Sequence, residues 1–445
     1  MKSRALLISL VTFSTLCRLF GQEIIGTRQV EHNAILNGQV FETNDTLFFS
    51  YFDNYPEITH HAIIFYPNGK TENVDVKDVA EPFLAIESVG TKRFYYFLTE
   101  NKNKTPILKA LRIDRQDNSR TILDHETSIQ GEVVSMISFQ QRPLLISWHK
   151  ETHTLRVYQI KENKSVEKTF ILPERTNVLD AKDFQLISGN TGWIYQANSW
   201  AKVYLEANRI RLGIDWSNNI ELLTLNENQK HDTLSITTNN SDYRSFVCDS
   251  LLFRYHIFSN GLYVKVYDAF KGTELSIHSL EKKKASDADL IYIHSGKQNI
   301  TDKDIKLKKL FDSFTFNAEP VIVASKSGIS QFNLTLGTFF NQKGAGNTVG
   351  TNPNQLIFSP SVISSAKQWR EQPAVSRYFY CEFANKKIDF KSEPTTIHKL
   401  IDDYDAKRSK EIIIEDLIVK DLNNAYLVTR DSKSNTLQLV KISKK

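Results

Sequence analysis

Hydrophobic positions in this chain come in short runs, and the runs come in pairs. Residues 63–76 read IIFYPNGKTENVDV, with Pro67-Asn68-Gly69 as the break. Residues 94–113 break at 100–104, residues 193–205 at 197–199, and residues 321–336 at 325–328. Residues 144–160 read LLISWHKETHTLRVYQI, 253–267 read FRYHIFSNGLYVKVY, and 426–442 read YLVTRDSKSNTLQLVKI. In each, β-branched and aromatic residues flank a cluster of Asn, Gly, Ser or charge. That is the pattern of a β-hairpin, so these stretches predict seven strand–turn–strand units.

Two units superimpose without a gap. Residues 145–160 align with 427–442, with identical residues at four of sixteen columns. Leu155 and Val157 fall on Leu437 and Leu439, and Tyr158 and Ile160 fall on Val440 and Ile442. A period of two kept through both hairpins means that equivalent faces meet the core. Leu262 and Val264 continue the pattern in a third unit. Turn centres near 102, 150 and 198 lie about 48 residues apart, which fits one four-stranded unit per period.

Later spacings are irregular and predict insertions near 280–317, 341–372 and 391–410. The first holds a candidate helix from Thr301, where Thr301 and Asp304 suit a capping box. Leu307, Leu310, Phe311 and Phe314 would share one face of it. The second is rich in Asn, Gly, Ser and Pro and reads as loop. The third predicts a helix over 395–407 with Ile397, Leu400, Ile401 and Tyr404 as its apolar stripe. Without the insertions about 330 residues remain, enough for roughly seven blades of ordinary length. The chain therefore resembles a degenerate β-propeller over residues 22–445, at the level of architecture alone. It carries no WD40, kelch or Asp-box signature, and Asp215-Trp216 merely reverses the Trp-Asp order. The resemblance implies stacked antiparallel sheets, with the final strand near 437–442 pairing with an early one near 24–30. The alternative is tandem β-sandwich domains, which leaves the 48-residue spacing without a cause.

The first residues set the expected compartment. Lys2 and Arg4 open the chain, residues 5–17 form an uncharged, mostly apolar run, and Gly21-Gln22-Glu23 follows. This is the three-part pattern of a secretory signal peptide over 1–21. The expected product is exported, to periplasm, cell surface or medium. Lipidation at Cys17 is disfavoured because Leu16, not a small residue, precedes it. No later run reaches the roughly 18 apolar residues of a membrane helix. The full chain has 56 basic and 51 acidic residues. Loss of Lys2, Arg4 and Arg18 leaves 53 against 51, a formal +2. Signs are interspersed, so nucleic acid is not an expected partner. Cys248 and Cys381 remain after processing. In an oxidising compartment they either bridge or stay as buried thiols.

Motifs that carry chemistry are few. Gly69-Lys70-Thr71 lacks the Gly five positions earlier that a phosphate loop needs; Ile64 stands there. Gly344, Gly346 and Gly350 miss the dinucleotide spacing by one. His149 and His153 sit four apart in a predicted turn, where their rings need not converge on a metal. His60 and His61 are adjacent in a predicted strand and so point to opposite faces. Asp402, Asp403 and Asp405 fall on the predicted helix, not in a calcium loop. Accordingly no residue is assigned a catalytic, cofactor or metal role. Trp148, Trp193 and Trp200 cluster near predicted hairpin tips, where an exposed ring can stack on a sugar or anchor a partner. The leading expectation is a non-catalytic binding or scaffold protein of the cell envelope, its partner an envelope protein or a glycan. The alternative is a carbohydrate-active enzyme, a glycoside hydrolase or lyase, whose carboxylates come from separate strands.

Overall fold

The computed structural model describes residues 22–444 apart from 31–35, 44–45, 54–58, 67–69, 77–82, 101–104, 140–141, 163, 189–196, 198, 207–208, 217–218, 226–230, 238–242, 286–289, 296–302, 309–310, 312–317, 341–374, 391–395 and 420–422. The expected signal segment and the loop insertion at 341–372 lie outside these residues.

The described strands form seven sheets in chain order, the architecture of a β-propeller. Sheet I comprises Leu36–Thr43, Thr46–Asp53, Thr59–Phe65 and Thr71–Val76. Sheet II comprises Ala85–Val89, Lys92–Glu100, Pro106–Asp114 and Arg120–Ser128, and sheet III Glu132–Phe139, Arg142–His149, Thr154–Lys161 and Lys164–Ile171. Sheet IV runs Phe184–Ser188, Ala201–Glu206, Arg209–Asp215, Asn219–Leu225 and His231–Thr237. Sheet V runs Arg244–Cys248, Leu251–Phe258, Gly261–Asp268 and Glu274–Glu281. Sheet VI orders Ala318–Lys326, Gln331–Phe340 and Val375–Ala384, then Leu290–Ser295 and Lys303–Lys306. Sheet VII joins Ile412–Val419, Asn424–Asp431 and Thr436–Ser443 to Gln22–Gln29. The expected pairing of the two ends of the chain is present: Ile24 lies opposite Val440 and Gly26 opposite Leu439.

Burial falls across each sheet, and the composition of the strands follows it. In sheet V every residue of Arg244–Cys248 is buried, whereas Glu274–Glu281 buries Leu280 alone. Strands covered on both faces read as continuous apolar runs, and outer strands mix polar residues in. The same gradient separates Arg142–His149 from Lys164–Ile171 in sheet III.

The chain divides into two compact units. One holds Met1–Phe83, Ser364–Lys367 and Thr395–Lys445. Within it Phe49, Ile63 and Phe65 of sheet I pack on Val428, Leu437 and Leu439 of sheet VII. Helix α1 (Ile397–Lys407) lies on the last two strands of sheet VII, with Ile397 and Ile401 buried. Its start is capped by Thr396, whose hydroxyl accepts the Lys399 N–H at 3.0 Å. This helix matches the expectation for 395–407 to within two residues.

The other unit holds Leu84–Ile363 and Gln368–Pro394. Within it each sheet packs on the next. Tyr96 and Leu108 of sheet II meet Leu145, Tyr158 and Ile160 of sheet III. Leu155 and Val157, on the opposite face of sheet III, meet Val203 and Ile214 of sheet IV. Tyr204 of sheet IV meets Phe246 of sheet V edge-on at 5.5 Å. Phe253 of sheet V packs on Phe332 and Phe383 of sheet VI at 5.6 and 5.5 Å. Each such side chain, fully buried, contributes about 1.5–3 kcal/mol. The residues matched between 145–160 and 427–442 occupy equivalent middle strands. Leu155 and Val157 face sheet IV, as Leu437 and Leu439 face sheet I.

Two local expectations fail. Residues 193–205 do not form a hairpin: Phe184–Ser188 pairs parallel with Ala201–Glu206, Leu186 opposite Val203. A parallel pair cannot be joined by a tight turn, and residues 189–196 and 198 lie outside the described residues. The helix expected from Thr301 gives way at its start to the strand Lys303–Lys306, with Asp304 opposite Tyr292, while Lys308 and Phe311 further on are helical. Leu290–Ser295 offers a sheet edge there, and edge pairing outweighs a local helical stripe. Leu307 and Phe311 are buried all the same.

Candidate functional site

The residues singled out in the sequence scatter. His149 ends one strand and Thr154 begins the next, so His149 and His153 sit in a turn. There the Thr152 hydroxyl lies 3.0 Å from His149 Nδ1. Lys70 closes a hairpin by accepting the Tyr66 N–H at its carbonyl. His61 stacks on Tyr51 at 4.9 Å in a strand. Asp405 pairs with Arg408 at the end of α1. Gly344, Gly346, Gly350 and Trp193 lie outside the described residues. Cys248 and Cys381 are free and buried. Burial pushes the Cys248 thiol up to about 12, and Cys381 upward as well, so both are inert as nucleophiles. Trp148 is core: it is 1% exposed and its Nε1–H donates to the Leu179 carbonyl at 2.9 Å. Trp200 alone of the three is shown as exposed, at 41%.

Trp200 leads to the chemistry. It immediately precedes Ala201–Glu206, and its carbonyl accepts the Asp215 N–H at 2.8 Å. Lys202 opens that strand and Asp215 closes the antiparallel neighbour, so both stand at one end of sheet IV. Arg244 and Ser245 open the first strand of sheet V, and Glu319 opens that of sheet VI. Lys202 Nζ donates to Asp215 Oδ2 at 3.0 Å. Ser245 donates its N–H to the same oxygen at 3.1 Å and its hydroxyl to Oδ1 at 2.5 Å. Arg244 Nη2 donates to Glu319 Oε2 at 3.0 Å, and its guanidinium lies 3.7 Å from the centre of the Trp200 ring.

Lys202 and Asp215 are almost wholly buried. Burial pushes the Lys202 ammonium below its usual value, with Arg244 adding to the fall and Asp215 opposing it. Ser245 is 2% exposed and its proton is committed to Asp215, so this group is a strut between sheets IV and V, not a nucleophile and its base. The exposed part of the cluster is different in kind. An indole, pinned from beneath by a guanidinium, stands beside the one-third exposed carboxylate of Glu319. Flat aromatic surface and a carboxylate suit a polyhydroxylated ring better than a metal or a phosphate. No group of three metal-ligating side chains occurs among the described residues.

The opposite ends of the same strands carry a second cluster. Arg211 is fully buried and pairs with Glu206, as does Arg209. Lys326 Nζ meets Asp249 Oδ2 at 2.6 Å. Phe270, 49% exposed, covers Arg209 and Arg211, whose guanidiniums lie 4.7 and 5.7 Å from its ring centre. Elsewhere a polar cleft of about 410 Å³ opens between the outer strands of sheets II and III, lined by Thr127, Ser128, Gln130, Lys164, Ser165 and Glu167.

Sequence reasoning passed over Lys202, Asp215, Arg244 and Glu319. Their one signal is a charge at the first or last positions of a strongly apolar strand, as in AKVYLE, RIRLGID and RSFVC. Such a charge must find a partner, but the partner is not written nearby.

No family model and no curated protein matches this chain. Similar solved structures exist at low identity. A GH43_1 enzyme from Xanthomonas citri is 12% identical over 62% of this chain and 94% of its own, with a TM-score of 0.26. The β-propeller domain of the Trilobed protease from Pyrococcus furiosus is 9% identical over 92% and 95%, with a TM-score of 0.36. A GH43 β-xylosidase/α-arabinofuranosidase from a compost microbial metagenome is 10% identical over 59% and 93%, with a TM-score of 0.27. Likeness at this level lends the chain no substrate and no mechanism. The expectation of a non-catalytic envelope scaffold is nonetheless corrected here. Glycoside hydrolases stand among the similar structures, and none of the three named is described as an envelope scaffold. No described helix is long and apolar enough to cross a membrane.

Proposed function

We propose that this chain is a carbohydrate-active enzyme whose substrate docks on Trp200. The observation that supports this is the Trp200–Arg244–Glu319 arrangement: an exposed indole held by a stacked cation, which also pairs with a one-third exposed carboxylate. An aromatic face covers the C–H face of a sugar ring, and a carboxylate within reach serves as acid or base at a glycosidic oxygen. Glu319 is the residue in that role. Asp215, the second carboxylate of the cluster, is 4% exposed and holds the strand ends together.

The test is a panel of reducing-end-labelled oligosaccharides incubated with the protein and with two variants. Turnover by the parent, lost about 10²–10⁴-fold in Glu319→Gln, is the expected result. Trp200→Ala is expected to raise KM about tenfold, the loss of roughly 1.4 kcal/mol of stacking. A protein that cleaves nothing in the panel, or whose cleavage survives Glu319→Gln unchanged, overturns the proposal.

A further inference from the structure

The end of sheets IV, V and VI remote from Trp200 contains the least satisfied charge among the described residues. The Arg211 side chain has no solvent exposure. Its Nη2 serves Glu206 and the Asp249 carbonyl, the latter at 2.6 Å. Its Nε–H and its Nη1 amino group are buried and meet no acceptor. A buried donor without a partner costs about 1–3 kcal/mol, more when charged, so native proteins supply one. The surroundings show what is missing. Arg209, Arg211 and Lys326 are cations; Glu206 and Asp249 are the facing carboxylates. One positive charge is left over, beside donors that lack an acceptor.

Access is also in place. Phe270 stands half-exposed at the surface beside both guanidiniums, its ring centre 4.7 Å from that of Arg209 and 5.7 Å from that of Arg211. Its backbone is fixed: Asp268 Oδ1 accepts the N–H groups of Phe270 and Lys271 at 2.8 and 2.9 Å. Gly272, at φ +69°, closes the turn in the left-handed region.

We propose that Arg211 and Arg209, beneath Phe270, bind a small monoanion, either a halide or a carboxylate. Two guanidiniums that share Glu206 offer N–H donors to either, and the anion cancels the surplus charge. This site shares no residue with the Trp200 cluster, so it stands or falls independently of the carbohydrate reading.

The test measures thermal unfolding of the full chain in sodium chloride, sodium acetate and sodium gluconate at equal ionic strength. Gluconate, too bulky to pass under the ring, is the reference. A saturable rise in Tm with chloride or acetate, beyond gluconate, is expected, as is broadening of the chloride-35 resonance if the halide is bound. A rise with chloride alone identifies a halide site, and a rise with acetate alone a carboxylate site. Arg209→Gln keeps the buried Arg211 and is expected to weaken the response at least fivefold. Phe270→Ala is expected to speed exchange of the anion without abolishing binding. Coincident curves in all three salts overturn the proposal, as does a response that Arg209→Gln leaves untouched. Arg211→Met is the stricter variant where it folds.

Discussion

The two ends of sheets IV, V and VI use the same materials to different effect. They are separated by little more than the Arg244–Cys248 strand, about 15 Å of backbone. Each has a lysine and two carboxylates, with one arginine at the Trp200 end and two at the other, and each has an exposed aromatic ring over a guanidinium. At the Trp200 end the buried pair is complete. Asp215 receives three donors and Lys202 has its carboxylate. At the Phe270 end the most deeply buried group, Arg211, keeps two unpaired donor groups, Nε and Nη1, against one, the Nε of Arg244, at the Trp200 end. Completeness suits a rigid platform, while a surplus of donors suits a site that waits for an anion. The contrast teaches that buried charge has to be read by what its hydrogens meet, not by its burial.

The largest effect should come from breaking the complete end. Asp215→Ala leaves Lys202 charged and without a partner in a dry interior, a loss of about 3–5 kcal/mol. Urea unfolding measures it. The double variant Lys202→Met, Asp215→Leu should recover most of that loss, because two apolar residues carry no desolvation penalty. If the single and double variants are equally unstable, an unpaired Lys202 is not the source of the loss. A smaller effect is expected at the other end. Arg211→Met in gluconate buffer should change stability by no more than about 1 kcal/mol, since it also removes buried donors that have no acceptor. A loss as large as that of Asp215→Ala would erase the contrast.

The smallest effect depends on pH. The N–H groups of Lys271 and Phe270 hold the Asp268 carboxyl below its usual value. A carboxyl lowered on folding stabilises the protein above its unfolded value, near 3.9, and loses that contribution as pH falls through the folded one. Wild type and Asp268→Ala should therefore differ in Tm at neutral pH and converge below about pH 4. A gap that stays constant into acid would show that the turn under Phe270 does not depend on this carboxylate.

Most of the fold was legible because it is local. Hairpins announce themselves by turn residues between alternating runs, and six of the seven expected units are hairpins in the structure. The match of 145–160 to 427–442 located equivalent middle strands with the correct faces, since a period of two admits one register. The unit at 193–205 failed because a parallel pair leaves no turn signal. Trp200 was legible as an aromatic near a strand end, whereas its neighbour Trp148 looked the same and is core. Asp215 was dismissed with its dipeptide, because nothing near it in sequence names Lys202 or Ser245 as partners.

The union of an early strand with the last one came only as an implication of the propeller resemblance, while the sequence by itself determined the strands and most of their pairing into hairpins. Those follow from side-chain period and turn chemistry, which act over a few residues, and from apolar content, which decides whether both faces of a strand are covered. Only the tertiary structure decided which charges meet. Lys202, Asp215, Ser245, Arg244 and Glu319 span more than a hundred residues of chain, and the stacking of three sheets brings them within hydrogen-bond reach. Electrostatic partnership depends on distance in space, and that distance exists only after the sheets have packed.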